Sequence, residues 1–279
     1  MLKTPMANQK ARFSPHFITL IISLTSLIGL ATFTWPLYIP SSNNFLTSSS
    51  AKILSLIVAA ISISVEFIAI NQRLFDSKIV ALLGILVAVD CALRLAGAGA
   101  AGIEPMWFLL LLASYVFGST FGFAMGALAI ASSALLTGGI GPWLPFQMFA
   151  AAWIGSLAGF LGKLNIMKRS ARSEVIVLAV FGVIAAELFG LLMDLQLWPW
   201  LLSRDTQLSY VAGGAVFENI HRFLVFHLAT SLSWNVPRAI ITAVLILVTG
   251  RAILGSLRRA QSKLTLPAMV QAEIGRAHV

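Results

Sequence analysis

The chain has 279 residues, 58% of them hydrophobic and only 10% charged, with a mean hydropathy of +0.91 and a net charge of +9. Soluble domains carry about 25% charged residues, so this chain cannot cover a water-facing surface, and lipid is its expected solvent. The basic excess belongs to membrane topology rather than to nucleic acid, because no compact basic domain or aromatic platform accompanies it.

Helices satisfy their backbone polar groups internally, so an all-α integral membrane protein is expected. Eight apolar segments follow one another, at 17–39, 51–71, 79–97, 105–118, 120–137, 146–163, 175–197 and 224–250. The basic opening MLKTPMANQKARF leads into an apolar run longer than about 20 residues with no small-residue cleavage site. It reads as a retained helix rather than a signal peptide. The second segment contains Glu66, for which the sequence suggests no partner.

The third segment carries Asp90 and Arg94, four apart and able to pair along one helix. Its Cys91 is the one cysteine of the chain, which excludes an intramolecular disulfide. Gly84, Ala88 and Ala92 place small residues at a spacing of four, which lets another helix approach closely, either inside the protein or from a partner. The stretch YVFGSTFGF separates the fourth segment from the fifth by a Gly/Ser/Thr turn, or else bends a single segment. Gly118, Gly122 and Gly126 read as internal packing positions.

Between the fifth and sixth segments lies TGGIGPWLPFQ, an uncharged loop with Gly138, Gly139, Gly141, Pro142, Trp143, Pro145 and Gln147. Its glycines let the backbone approach a ligand, its prolines stiffen it, Trp143 offers a stacking face and Gln147 a donor and an acceptor. The plainer reading is an interfacial turn whose tryptophan joins the aromatic belt.

Glu187 falls in the middle of the seventh segment, and Asp194 precedes Trp198, Pro199 and Trp200 at its end. Glu187 is expected to pair with Arg94 or Arg238. The last region, ENIHRFLVFHLATSLSWNVPRAI, gathers Glu218, Asn219, His221, Arg222, Trp234, Asn235 and Arg238, with Pro237 suited to a first helical turn. Asn235 and Arg238 share a helical face and suit a carboxamide, carboxylate or phosphate. Arg222 and Arg238 alternatively snorkel to lipid headgroups. His221 and His227 are read as ordinary residues rather than metal ligands. Charges inside the membrane (Glu66, Asp90, Arg94, Glu187 and Asp194) are costly and often functional.

With the N-terminus in the cytoplasm, that side receives Lys3, Lys10, Arg12, Arg73, Lys78, Lys163, Lys168, Arg169, Arg172, Arg251, Arg258, Arg259 and Lys263. The outer side receives Lys52, Arg94, Arg204, Arg222 and Arg238. The positive-inside bias therefore favours eight spans with both termini cytoplasmic and the Gly/Pro loop facing outward. Neither a Walker A motif, HExxH nor GxSxG with partners is present, so the chain is not expected to carry its own nucleotide engine or to act as an enzyme.

From about Lys78 to Leu257 the chain resembles the substrate-binding S component of energy-coupling factor (ECF) vitamin transporters. The likeness rests on ALLGILVAVDCALRLAGAGA and on YVFGSTFGFAMGALAIASSALLTGGIGPWLPFQMFAAAWIGSLAGFLGK, above all the glycine-rich loop running into PFQM. It implies a six-helix core over 78–257 preceded by a tail and two additional helices over 1–77. A basic cytoplasmic tail would follow over 258–272, and EIGRAHV (273–279) reads as a sequencing-adapter artefact. The resemblance further implies a multi-pass protein of the prokaryotic plasma membrane that binds a vitamin from outside. A transmembrane coupling subunit and two ATPases would drive import, with no cofactor, metal or nucleic acid.

Arg94, Gly139, Gly141, Trp143, Gln147, Asp194, Asn219, Arg222, Trp234, Asn235 and Arg238 are the candidate substrate contacts. Gly84, Ala88 and Ala92 are the candidate docking face for the coupling subunit. A cobalamin-like corrinoid is the first candidate substrate, from the likeness of the PWLPFQ region to such members, with riboflavin and queuosine precursors among the others left open. Two other readings are an ion-coupled carrier using Asp90, Glu187 or Asp194, and an intramembrane enzyme using Glu187, Asp194 and His227 on a lipid-like substrate.

Overall fold

The computed structural model describes residues 15–34, 37, 53, 57–58, 61, 64, 77–97, 102–164, 170–201, 206–211 and 214–265. Most of the expected segment 51–71 lies outside these residues, as do Glu66, Arg204 and the EIGRAHV tail. The described residues form α1 (Pro15–Thr34), α2 (Ser77–Gly97), α3 (Met106–Phe117), α4 (Ser119–Thr137), α5 (Leu144–Leu161), α6 (Ala171–Leu201) and α7 (Val216–Thr265), with no strand among them. Helices α2, α4, α5, α6 and α7 are each long and apolar enough to cross a membrane. The protein is an all-α integral membrane protein.

Helix α3 organises the core. It has 12 residues, MWFLLLLASYVF, and everything from Met106 to Tyr115 is buried. At about 18 Å it is too short to cross a hydrocarbon layer of about 30 Å alone. A helix that is apolar on every side belongs inside a bundle, and α3 packs against each of α2, α4, α5, α6 and α7. Gly118 alone separates it from α4, with φ +95° and its N–H donating to Ser114 O at 2.8 Å. That φ lies where side chains other than glycine are rare. The YVFGSTFGF stretch therefore holds two helices with a one-residue break.

Helices α4 and α5 approach backbone to backbone. A Cβ on Gly122 would collide with the Gly155 carbonyl, and one on Gly155 with Gly122. Gly126 sits likewise on Ala151, and Gly159 on Gly118 and Ser119. Small residues allow this proximity, and dispersion between the backbones holds it. Gly122→Ala is expected to destabilise the protein by about 1–3 kcal/mol through overpacking against a backbone that cannot rotate away. A lowered thermal midpoint of the purified protein in detergent would show it.

Helix α1 packs on α5. Trp153 donates its indole N–H to Ser26 Oγ at 2.9 Å, and Phe33 meets Phe146 edge-on at 5.0 Å. The pairs Phe33–Phe146 and Ser26–Trp153 run in opposite senses along the chain, so α1 is antiparallel to α5. Pro15 thus lies at the same end of the bundle as Leu161 and Thr265.

Helix α7 has 50 residues, about 75 Å of helix. Pro237 lies inside it and not at its start. The expected beginning at Pro237 is thereby corrected. One proline removes one helical hydrogen bond, while α6 pairs with α7 both before and after it, through Trp198–Phe223, Gly190–Asn235 and Gly182–Thr242. Two ion pairs bracket the span of α7. Arg258 pairs with buried Glu174, which also accepts the Tyr115 hydroxyl at 2.7 Å. Arg238, roughly 20 residues or 30 Å earlier, pairs with Glu104 at 2.8 Å. That separation matches the hydrocarbon thickness of a bilayer.

Candidate functional site

The turns 138–143 and 206–211, the Glu104 turn and the start of α7 gather at the end of the bundle opposite Thr265. Here α6 and α7 hold a polar network between them. His227, Ser231, Asn235 and Arg238 recur at helical spacing and so share one face of α7. Glu187 and Asp194 face them from α6. His227 Nε2 meets Glu187 Oε1 at 2.7 Å, and its Nδ1 meets Asp194 Oδ2 at 2.6 Å. Ser231 donates its hydroxyl to the same Asp194 oxygen. Asn235 Nδ2 donates to Glu187 Oε2 at 3.1 Å, and Arg238 donates to Asn235 Oδ1 at 2.9 Å.

Two glycines make this geometry possible. A Cβ on Gly190 would overlap the Asn235 amide, so glycine alone leaves that amide room between Glu187 and Arg238. Gly102, at φ +76°, lies against the backbone of Trp234. That contact brings the following residues onto α7, where Glu104 receives Arg238 Nε at 2.8 Å and the Trp107 indole N–H at 2.9 Å. The Arg238 guanidinium lies 5.0 Å from the Phe189 ring centroid, and Trp107 packs on the same ring at 4.6 Å.

Burial is the largest influence on Glu104 and opposes its ionisation, but the Arg238 charge and the other favourable contacts together outweigh it. With the two hydrogen bonds and the more distant charge of Arg94, Arg238 holds the Glu104 carboxyl below the usual glutamate range. The Glu187 side chain keeps 46% of its surface exposed, while His227 keeps 4% and Asp194 15%. Glu187 is thus the open edge of an otherwise enclosed network.

Of the residues singled out in the sequence, the structure brings Asp194, Asn235 and Arg238 into this network. Glu187 joins it through His227 and Asn235, not through the expected Arg94 or Arg238, because Arg238 is taken by Glu104. Arg94 donates to Ser133 Oγ of α4 at 2.6 Å. The expected Asp90–Arg94 pair is not formed, and both Asp90 carboxylate oxygens are buried without a hydrogen-bond partner among the described residues.

Asn219 is buried and exchanges two hydrogen bonds with the Val211 backbone, so it holds the turn before α7. Arg222 pairs with Glu218 and donates to the carbonyls of Thr206 and Gln207. Trp234 meets Gly102 through its backbone, and its side chain is exposed. The Gly/Pro loop is bonded to itself. Gly139 N–H donates to Ala134 O, Gln147 N–H to Trp143 O, and the Trp143 indole N–H to Gly139 O at 3.3 Å while its ring covers Gly141. No hydrogen bond among the described residues joins Trp143 or Gln147 to the α6–α7 network.

Gly84, Ala88 and Ala92 are all exposed on α2, with open space where a Gly84 side chain would be. Glu104, Trp107, Gly190 and Ser231 escaped the sequence reading. A lone glutamate between two apolar segments, at the same end as Arg94, was the available signal for Glu104.

The family model for the ECF transporter, substrate-specific component, matches residues 78–249, more than half of the chain. The chain belongs to that family. No curated protein and no solved structure matches it. An ECF substrate-specific component is a membrane transport subunit that works with coupling and ATPase subunits on a small-molecule substrate. In this S component the match opens at the start of α2 and closes inside α7. Helix α1 lies before the matched region, yet it is packed into the fold through Phe33 and Trp153.

Proposed function

We propose that this S component captures a vitamin or related micronutrient from outside a prokaryotic plasma membrane, at the end of the bundle where the Gly/Pro loop and the α6–α7 network lie. The observation that carries this reading is the network itself. Charged groups among membrane helices are costly and persist where they serve a pathway or a ligand, and Glu187 leaves this one open at an edge. Asp194, Asn235 and Arg238 are its candidate substrate contacts, reached past the open Glu187 edge, and Arg94 is a further one on Ser133. Gly139, Gly141, Trp143 and Gln147 form one rim, and Asn219, Arg222 and Trp234 the other.

The exposed Gly84, Ala88 and Ala92 face is where the coupling subunit docks, and both termini lie on the cytoplasmic side. A cobalamin-like corrinoid remains the first candidate substrate. Its peripheral carboxamides would donate to Glu187 and Asp194 and accept from Asn235.

Thermal unfolding of the detergent-purified protein against a vitamin panel, cobalamin and cobinamide included, tests the proposal. A ligand at 100 times its dissociation constant adds about 2.7 kcal/mol, which is visible as a raised midpoint. Glu187→Gln and Asn235→Ala are expected to abolish the rise, and Trp143→Ala with Gln147→Ala to weaken it. A folded protein stabilised by no member of the panel would refute the vitamin reading. Binding unchanged in all these variants would refute the site.

A further inference from the structure

Asp90 is a charged side chain of α2 whose position the network above leaves unexplained. It is fully buried, and neither carboxylate oxygen has a hydrogen-bond partner among the described residues. A buried carboxyl with neither oxygen bonded forgoes the hydrogen bonds it could make, and a state that supplies a partner would recover them. Helices α3 and α4 pack on α2 and contain no charged residue. On α2 itself Lys78 lies several turns away, at the opposite end of the helix. Arg94 stands one turn from Asp90 on the same helix, within the reach that i,i+4 pairs use, and its guanidinium is turned to Ser133.

We propose that Asp90 is the alternate partner of Arg94, so that the guanidinium has two seats, Ser133 on α4 and Asp90 on α2. In the arrangement seen, Arg94 is on Ser133, from where its charge also reaches Glu104. When it moves to Asp90 the buried carboxylate is satisfied within α2, the α2–α4 tie through Ser133 is released, and Glu104 is left to Arg238. Asp90 thereby acts as a positioning residue for Arg94. Arg94 and its Asp90 seat lie on the helix that presents Gly84, Ala88 and Ala92 outward, so the exchange would alter how that helix is held against α4. The inference rests on these side chains alone and stands whatever the neighbouring site binds.

A double-mutant cycle on the full chain tests it. Ser133→Ala alone is expected to lower the thermal midpoint little, because Arg94 takes its second seat. Ser133→Ala with Asp90→Ala strands the guanidinium and should cost about 2–4 °C more than the two single changes together. If Asp90→Ala does not fold, Asp90→Asn replaces it in the cycle. Infrared difference spectra against Asp90→Asn supply a signature that a merely structural role would not move. The Asp90 carboxyl band is expected to shift between the wild type and Ser133→Ala. Additive midpoints, or an Asp90 band identical in the two proteins, would overturn the proposal.

Discussion

Arg238→Ala is expected to destabilise the protein by about 3–5 kcal/mol, because it leaves a buried carboxylate without its cation. Glu104 is 13% exposed and Arg238 8%, and the guanidinium is held further by Asn235 and the Phe189 ring. Removing Arg238 therefore strands Glu104, frees the Asn235 carbonyl and loosens the turn that Gly102 seats on α7. Arg238→Met combined with Glu104→Gln should recover most of the loss, since a pair of neutral groups avoids the stranded charge.

Acid acts on the same pair. The Glu104 carboxyl is held below its unfolded value, so the stability it contributes is fully present above that value and is lost as pH falls through the lower folded one. Arg238→Ala should remove this acid limb. Chemical denaturation followed by tryptophan fluorescence at neutral and acid pH measures both effects. Equal stability of Arg238→Ala and wild type at neutral pH would show that the pair does not hold the turn.

Trp198→Ala should cost a similar amount, about 3–5 kcal/mol, for a different reason. Trp198 is fully buried, packs at 5.4 Å from both Tyr210 and Phe223, and donates its indole N–H to Leu208 O at 2.7 Å. It joins the end of α6, the turn before α7 and α7 itself. Phe223 in turn stacks on His227 at 6.0 Å. The cavity left by alanine therefore loosens the Phe223 ring, on which the His227 that bridges Glu187 and Asp194 is stacked. Trp198→Phe keeps most of the volume and loses the hydrogen bond, so about 1 kcal/mol is expected from that bond. Thermal unfolding of both variants, with ligand binding measured on whatever folds, separates the packing loss from the loss of the site. Wild-type stability in Trp198→Ala would mean that α6 and α7 are held together elsewhere.

The helices were legible because lipid imposes one rule on every span: an apolar run long enough to cross and backbone bonds closed within it. Helix α3 shows where that rule stops. Its apolar run is plain in MWFLLLLASYVF, but its place at the centre of the other five core helices follows from its shortness only once they are present. Pro237 shows the same limit. Proline is a local signal for a helix start, and the partner helix α6 overrode it.

Composition and residue pattern determined the membrane class, the run of apolar segments and the S-component likeness through the loop running into PFQM. They also marked Asp194, Asn235 and Arg238 as polar residues worth notice. The pairings were decided by tertiary structure alone: Glu104 with Arg238, Glu187 and Asp194 with His227, Arg94 with Ser133 rather than Asp90, and Trp143 with its own loop. Hydropathy is a property of each segment and is written along the chain. Which charge meets which depends on the rotation and depth of helices packed side by side. Glycines such as Gly102 and Gly190 set that register by what they leave out, which no local pattern records.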